Sequence, residues 1–287
     1  MRIGALEAGG TKMVCAVGNE HGEIERRVSL PTRTPEETMP EMIDFFKQER
    51  IEALGIGCFG PINPVKGMPY YGYITSTPKK GWQYYNIVGA FEEALHCPVG
   101  FDTDVNAAAL GEAAYGITKG LKNSIYVTVG TGIGVGVYAD GKLLHGMTHP
   151  EAGHIYLKRH PKDAFAGGCP FHGDCLEGLA AGPAIEKRWG KKGVELTDRK
   201  EVWELEAWYL AQACANYCML YSPERIVLGG GVMKQPSLLP MIREAFQKHL
   251  AGYIRTEKVE DVENYIVPAS LGDNQAVLGC LRLALGE

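Results

Sequence analysis

A chain of 287 residues, 45% hydrophobic and 22% charged, has core material for two ordinary domains, which excludes a disordered or low-complexity protein. Its net charge of −5, without a basic run, argues against nucleic acid and anionic membranes and for a small-molecule substrate. The opening Met1-Arg2-Ile3-Gly4-Ala5-Leu6-Glu7 lacks the apolar stretch of a signal peptide, and no apolar run reaches about 18 residues, so the expected location is the cytoplasm.

Residues 2–30 read as three strands joined by glycine turns. The first turn, Glu7-Ala8-Gly9-Gly10-Thr11-Lys12, follows the apolar run Ile3–Leu6. Its backbone N–H groups, the Thr11 hydroxyl and the Lys12 ammonium can converge on a phosphate; a plain hairpin turn is the competing reading. It is not a Walker A loop, because G-x-x-x-x-G-K-[ST] is absent. Pro35 to Arg50 has the spacing of an amphipathic helix, with Met39, Met42, Ile43 and Phe46 on one face. Ala53–Phe59 reads as a buried strand. From Gly60-Pro61 to Trp82 runs a long loop, whose Trp82 and tyrosines either line a sugar pocket or pack the loop onto the body.

Val88–Leu95 reads as a helix, Val99–Phe101 as a strand, and Val105–Tyr115 as an alanine-rich helix closed by Gly116. Asp102-Thr103-Asp104 lies at the strand-to-helix junction. Ligands of open α/β sheets bind at the carboxyl ends of strands, and a carboxylate there can take the proton of a substrate hydroxyl. Aspartate is also a preferred N-cap, so one of the two can serve only as that.

Ser124 to Gly141 restarts the pattern. A strand (Ser124–Val129), a glycine turn (Gly130-Thr131-Gly132-Ile133-Gly134), a second strand (Val135–Tyr138) and a tight turn (Asp140-Gly141) follow one another. Thr11 precedes Gly22 by eleven residues and Thr131 precedes Gly141 by ten. The repeat predicts two α/β domains of like design, residues 1–117 and 118–287, with the last helix, 275–286, able to pack on the first. Two facing phosphate loops would make a nucleotide site. The second turn is not G-x-G-x-x-G and lies between two strands, which disfavours a dinucleotide fold.

Glu151-Ala152-Gly153-His154 is followed by Cys169, His172 and Cys175, each of these three separated by two residues. Such spacing lets one loop supply several ligands to a tetrahedral zinc, with His154 as the fourth. Four protein ligands leave no open position, so the metal is expected to be structural. A Cys169–Cys175 disulfide and plain surface polar groups are the alternatives. Beyond it the chain predicts a helix from Glu177 to about Trp189, a long buried helix Val202–Tyr221, a strand Arg225–Leu228, a helix Pro240–Leu250, a strand Asn264–Val267 and a last helix Gln275–Leu285. Gly229-Gly230-Gly231-Val232, after the core strand, permits close approach to a flat ligand or is a flexible turn.

Five stretches in this order carry a resemblance: Glu7–Lys12, Asp102-Thr-Asp-Val-Asn-Ala-Ala-Ala109, Gly130-Thr-Gly-Ile-Gly-Val-Gly136, Glu151–His154 with the Cys/His cluster, and Gly229–Val232. The whole chain resembles the ROK sugar kinases (repressor, open reading frame, kinase), in their fructokinase-like branch. The resemblance implies an actin-like, hexokinase-type (ribonuclease H-like) two-domain α/β fold with a cleft, and an ATP:sugar phosphotransferase. It implies that ATP, carried with Mg²⁺, rests its phosphates on Gly9, Gly10, Thr11 and Lys12 and on Gly130, Thr131 and Gly132. Its adenosine would lie near Gly182, Gly229, Gly230, Gly231 and Val232. Asp104 would be the catalytic base on the sugar hydroxyl. Glu151 and His154 would hold the hexose, and His154, Cys169, His172 and Cys175 the zinc. A homodimer is the family's common state.

The chain departs from the family at chosen places. Glu7 stands where much of the family has Asp. Thr103 and Lys79-Lys80 stand where glucokinase-like members carry sugar-contacting Asn, which favours fructose over glucose. His172 replaces a Cys and keeps a good zinc donor. A kinase for another hexose, such as mannose or glucose, and a non-catalytic sugar sensor are the alternatives. A repressor of this family carries a helix-turn-helix ahead of the first glycine loop, for which residues 1–6 leave no room.

Overall fold

The computed structural model describes residues 1–286. Strand β1 (Ile3–Ala8) forms an antiparallel hairpin with β2 (Lys12–Gly18), in which Ile3 faces Gly18 and Ala8 faces Met13. Strand β3 (Ile24–Pro31) closes the antiparallel edge. Its outward Glu25, Arg26 and Arg27 suit an edge, where charge discourages further strand pairing. On its other side β1 pairs in parallel with β4 (Ala53–Cys58), and β4 in parallel with β7 (Val99–Thr103), giving the order β3-β2-β1-β4-β7. β1 and β4 are nearly continuous apolar runs because elements cover both of their faces. Between β4 and β7 come the short antiparallel pair β5 (Tyr73–Ile74) and β6 (Tyr85–Asn86).

Helix α1 (Pro35–Glu49) opens with a proline at its first position and, unread in the sequence, a Thr34–Glu37 capping box. It buries Met39, Met42, Phe45 and Phe46, and Phe46 meets Phe91 of α2 (Ile87–Leu95) edge-on at 6.0 Å. Trp82 is 1% exposed. Its indole donates to the Arg33 carbonyl at 2.7 Å and its ring stands edge-on to Phe59 and Tyr85. It therefore packs the long loop onto the body, the second of its two sequence readings. Helix α3 (Asp104–Tyr115) leaves the carboxyl end of β7. The C-terminal helix (Gln275–Leu283) lies against α3, β1 and β4, with the Cys280 thiol donating to the Leu6 carbonyl at 3.2 Å.

The second sheet repeats the first. Strand β8 (Ser124–Val129) pairs antiparallel with β9 (Ile133–Ala139) and parallel with β11 (Arg225–Gly229), which pairs parallel with β12 (Ile266–Pro268). With β10 (Lys142–Leu143) the order is β10-β9-β8-β11-β12, the counterpart of β3-β2-β1-β4-β7. The repeat seen in the turn glycines is real in backbone terms: Gly22 and Gly141 take φ of +81° and +78°, a region that favours glycine. Contacts divide the chain into a first unit of residues 1–120, 142–150 and 270–287, and a second of 121–141 and 151–269.

The helix expected from Glu177 to Trp189 is two helices, α4 (Leu176–Ala180) and α5 (Gly182–Trp189), because Ala181 is extended with ψ at 159°. The break frees the Gly182 N–H to donate to the Gly130 carbonyl at 2.8 Å. Helix α6 (Lys200–Tyr221) is the long buried helix, and α7 (Leu238–Leu250) follows. The strand expected from Asn264 begins at Ile266, because the Asp261 carbonyl accepts from the N–H groups of Asn264 and Tyr265 and draws them into a helical turn. No helix among the described residues is long and apolar enough to cross a membrane.

Candidate active site

In the first unit, the junction of β7 and α3 separates its two aspartates by role. The N-cap is neither of them: Thr103 caps α3, its hydroxyl accepting from the Asn106 N–H at 3.0 Å. Asp102 is buried and fully engaged. Its Oδ1 accepts from the Thr103 N–H and from Asn106 Nδ2, each at 2.7 Å, and its Oδ2 lies 2.8 Å from His145 Nε2. That contact pushes the His145 imidazole above its ordinary range.

Asp104 is the first residue of α3, and its Oδ1 accepts from the Val105 N–H at 2.8 Å. The helix terminus and the nearby His149 draw its acidity toward the ionised form. Burial, reinforced by the charge of Glu7, outweighs both and pushes the carboxyl up to about 7. A carboxylate that titrates near neutrality can take a proton from a hydroxyl and release it again.

Glu7 lies on β1, one residue before the Ala8-Gly9-Gly10-Thr11 turn. Its carboxyl is raised by burial, against the pull of Lys12 and Arg27. The turn is held by the Gly9 N–H donating to the Lys12 carbonyl at 3.0 Å and by the Thr32 hydroxyl donating to the Gly9 carbonyl at 2.7 Å. Thr11 and Lys12 project from it, exposed.

In the second unit, the turn Gly130–Gly132 borders a cavity of about 590 Å³. Of the residues that the sequence assigns to a nucleotide, Gly130, Thr131, Gly182, Gly231 and Val232 line it. Gly132, Gly229 and Gly230 are not among its lining residues. The rest of its wall comes from Pro183, Ile185 and Glu186 on α5, from Lys192, Gly193, Val194 and Thr197, from Trp203, and from Lys234 and Gln235, which the sequence reading missed. These residues sit on four separate segments and carry no local motif. The cavity's size and its mixture of glycines, apolar faces and a few polar groups suit a small organic ligand.

His154, Cys169, His172 and Cys175 converge, their donor atoms all within 4.8 Å of one another. The His154 Nδ1–Cys175 Sγ, His154 Nδ1–Cys169 Sγ and Cys169 Sγ–His172 Nδ1 distances are 3.4, 3.8 and 3.7 Å. A tetrahedral zinc spaces its sulfur and nitrogen donors by about 3.6 Å, so the cluster fits such an ion. All eight cysteines are free thiols, which sets aside the disulfide reading. Burial pushes the Cys175 thiol up to about 11, so metal must displace a proton there.

Glu151 and His154 share one 3₁₀ turn, held by the His154 N–H donating to the Glu151 carbonyl at 3.0 Å and the Tyr217 hydroxyl donating to the Ala152 carbonyl at 2.7 Å. Gly153 must be glycine, since a Cβ there would stand 1.8 Å from the Ile133 carbonyl oxygen. Glu151 is exposed. The second nitrogen of His154, Nε2, is 4.0 Å from Glu177 Oε1, while Glu177 Oε2 accepts from the Ile133 N–H at 3.0 Å. Glu177 thus stands between the His/Cys cluster and the Gly130–Ile133 turn. The sequence offered a signal for it, a carboxylate two residues after the last cysteine, which the reading used only to start a helix.

The model of the ROK family matches residues 3–287. A fructokinase of Pediococcus pentosaceus is 49% identical over 284 residues, covering 99% of this chain and 98% of the relative. A fructokinase of Streptococcus mutans is 45% identical over 287 residues, covering 98% and 96%. The crystal structure of a ROK hexokinase from Thermus thermophilus superposes with a TM-score of 0.82 at 27% identity, covering 99% of this chain and 98% of that one.

Proposed function

The chain belongs to the ROK family, and from that membership we propose that it is an ATP-dependent fructokinase that converts fructose to fructose 6-phosphate. The observation that carries the mechanism is Asp104, a carboxylate at the carboxyl end of a parallel strand whose surroundings raise it to about 7. Asp104 accepts the proton of the sugar hydroxyl as that oxygen attacks the γ-phosphorus. The bond from the γ-phosphorus to the β,γ-bridging oxygen breaks, and ADP leaves. Asp102, held by His145, Asn106 and the Thr103 N–H, positions the strand end and takes no proton in the reaction.

The cavity bordered by Gly130, Thr131, Gly182, Gly231 and Val232 takes the adenosine, and the Gly130–Gly132 turn its inner phosphates. The Gly9–Lys12 turn takes the terminal phosphate through backbone N–H groups, Thr11 and Lys12. ATP enters as its Mg²⁺ complex, and Glu151 and His154 hold the hexose hydroxyls. Zinc fits His154 Nδ1, Cys169, His172 and Cys175. When bound it supplies a cross-link between the Glu151–His154 turn and the Cys169–Cys175 loop and no chemistry of its own, because these four donors complete its shell. A homodimer and a cytoplasmic location complete the reading.

The test is product analysis. With Mg²⁺–ATP and fructose, the purified protein should release one ADP per fructose 6-phosphate formed. Phosphate on the 1-hydroxyl, or no sugar phosphate at all from folded protein, would contradict it.

A further inference from the structure

The Gly9–Lys12 turn has a second cation that does not belong to it. Lys79 lies against Gly10: a Cβ built on that glycine would stand 3.2 Å from Lys79 Cε and 3.7 Å from its Nζ. The placement is braced on both sides. The Lys79 N–H donates to the buried Thr77 hydroxyl at 3.4 Å, and the Lys79 carbonyl accepts from the N–H of Trp82 at 3.2 Å. Trp82 in turn is buried against Phe59 and Tyr85. The half-buried side chain is therefore delivered to the turn by a packed segment. Among the described residues it forms no ion pair with a carboxylate.

An ammonium held over a glycine turn that already carries Lys12 adds positive charge there; Glu7 faces Lys12, and no carboxylate pairs with Lys79 among the described residues. The group that completes such a place is an oxyanion. A lysine serves phosphate well as a compact point charge. The resemblance assigns this part of the chain a neutral sugar-contacting Asn, and the geometry gives Lys79 a different neighbour.

We infer that Lys79 is a phosphate-binding residue whose ammonium pairs with the terminal phosphate of the nucleotide on the Gly9–Lys12 turn. This rests on the reading of that turn as the terminal-phosphate loop. It makes Lys79 part of the transfer machinery and not of sugar selection. Charge spreading over the terminal phosphoryl oxygens during transfer would meet two ammonium groups, one from the turn and one from the Thr77–Trp82 segment.

The test compares two nucleotides that differ in the terminal phosphate. Calorimetry measures ADP and the non-hydrolysable analogue AMPPNP, each with Mg²⁺, on the wild type, Lys79→Met and Lys79→Arg. Lys79→Met should weaken AMPPNP by about tenfold while leaving ADP affinity, fructose affinity and melting temperature unchanged. Lys79→Arg should recover most of the loss. Unchanged AMPPNP binding would overturn the inference. So would equal loss for both nucleotides with a lowered melting temperature, which marks a structural role, or a loss confined to fructose, which marks a sugar contact. If the wild type turned over no fructose yet showed the Lys79-dependent preference for AMPPNP, the sugar assignment would fail and the phosphate contact would stand.

Discussion

His145 Nε2 stands 2.8 Å from Asp102 Oδ2, and Asn106 and the Thr103 N–H occupy the other oxygen of the same carboxylate. Two aspartates two residues apart are thereby given different work. Asp102 uses its acceptor capacity inside the first unit, and in the proposed mechanism Asp104 is the one that meets the substrate. Replacing His145 by Ala should remove a charge-assisted contact from a buried carboxylate and cost about 1–3 kcal/mol of stability. The contact raises the imidazole, so its contribution is full below the ordinary His value and fades as pH rises through the raised one. Denaturant unfolding should show the gap between wild type and His145→Ala widest near pH 6 and shrinking in alkali. A gap independent of pH would mean that the imidazole is packing, not pairing.

Asp104→Asn should lower turnover with fructose by at least about 100-fold, the usual contribution of a general base. It should also stabilise the fold. The folded carboxyl titrates near 7 against an unfolded value of 3.8, so the wild type loses stability as pH rises through that window. Asparagine does not ionise. At pH 8 the variant should therefore melt at a higher temperature than wild type, and at pH 4 the difference should be nearly gone. A variant that melts lower at pH 8 would show that the carboxylate is not strained by its burial.

The same titration sets the rate profile. The base form of Asp104 exists above pH about 7, so kcat/KM for fructose should fall tenfold for each pH unit below it. A profile flat down to pH 5 would remove Asp104 as the titrating base.

Much of this was legible in the chain before its structure. The two glycine turns, at Gly9–Lys12 and Gly130–Gly132, sit on hairpins of equivalent sheets, because strand alternation and turn glycines are local signals. The cluster of His154, Cys169, His172 and Cys175 was readable from spacing alone. What escaped were partners far away in sequence. His145 meets Asp102 across 43 residues, and Glu177 meets Ile133 across 44. No periodicity reports such pairings. The break at Ala181 had a local signal that went unused: Pro183 lacks an N–H and suits only the first turn of a helix, and the Gly182 N–H turns to the Gly130 carbonyl.

Removing metal with a chelator should lower the melting temperature and loosen the Gly130–Ile133 turn, since Glu177 stands between that turn and His154. Cys169→Ser should lower metal content and thermal stability together. Full stability in a protein shown to be free of metal would contradict the structural role.

The most direct test of the central claim is ADP release from Mg²⁺–ATP with fructose, mannose, glucose, N-acetylmannosamine and N-acetylglucosamine, beside a control without sugar. The account predicts strong, fructose-dependent release, with glucose far behind because Thr103 stands where glucokinase-like members of the family carry a sugar-contacting Asn. Release driven by glucose or an amino sugar, with fructose at the level of the control, would contradict it.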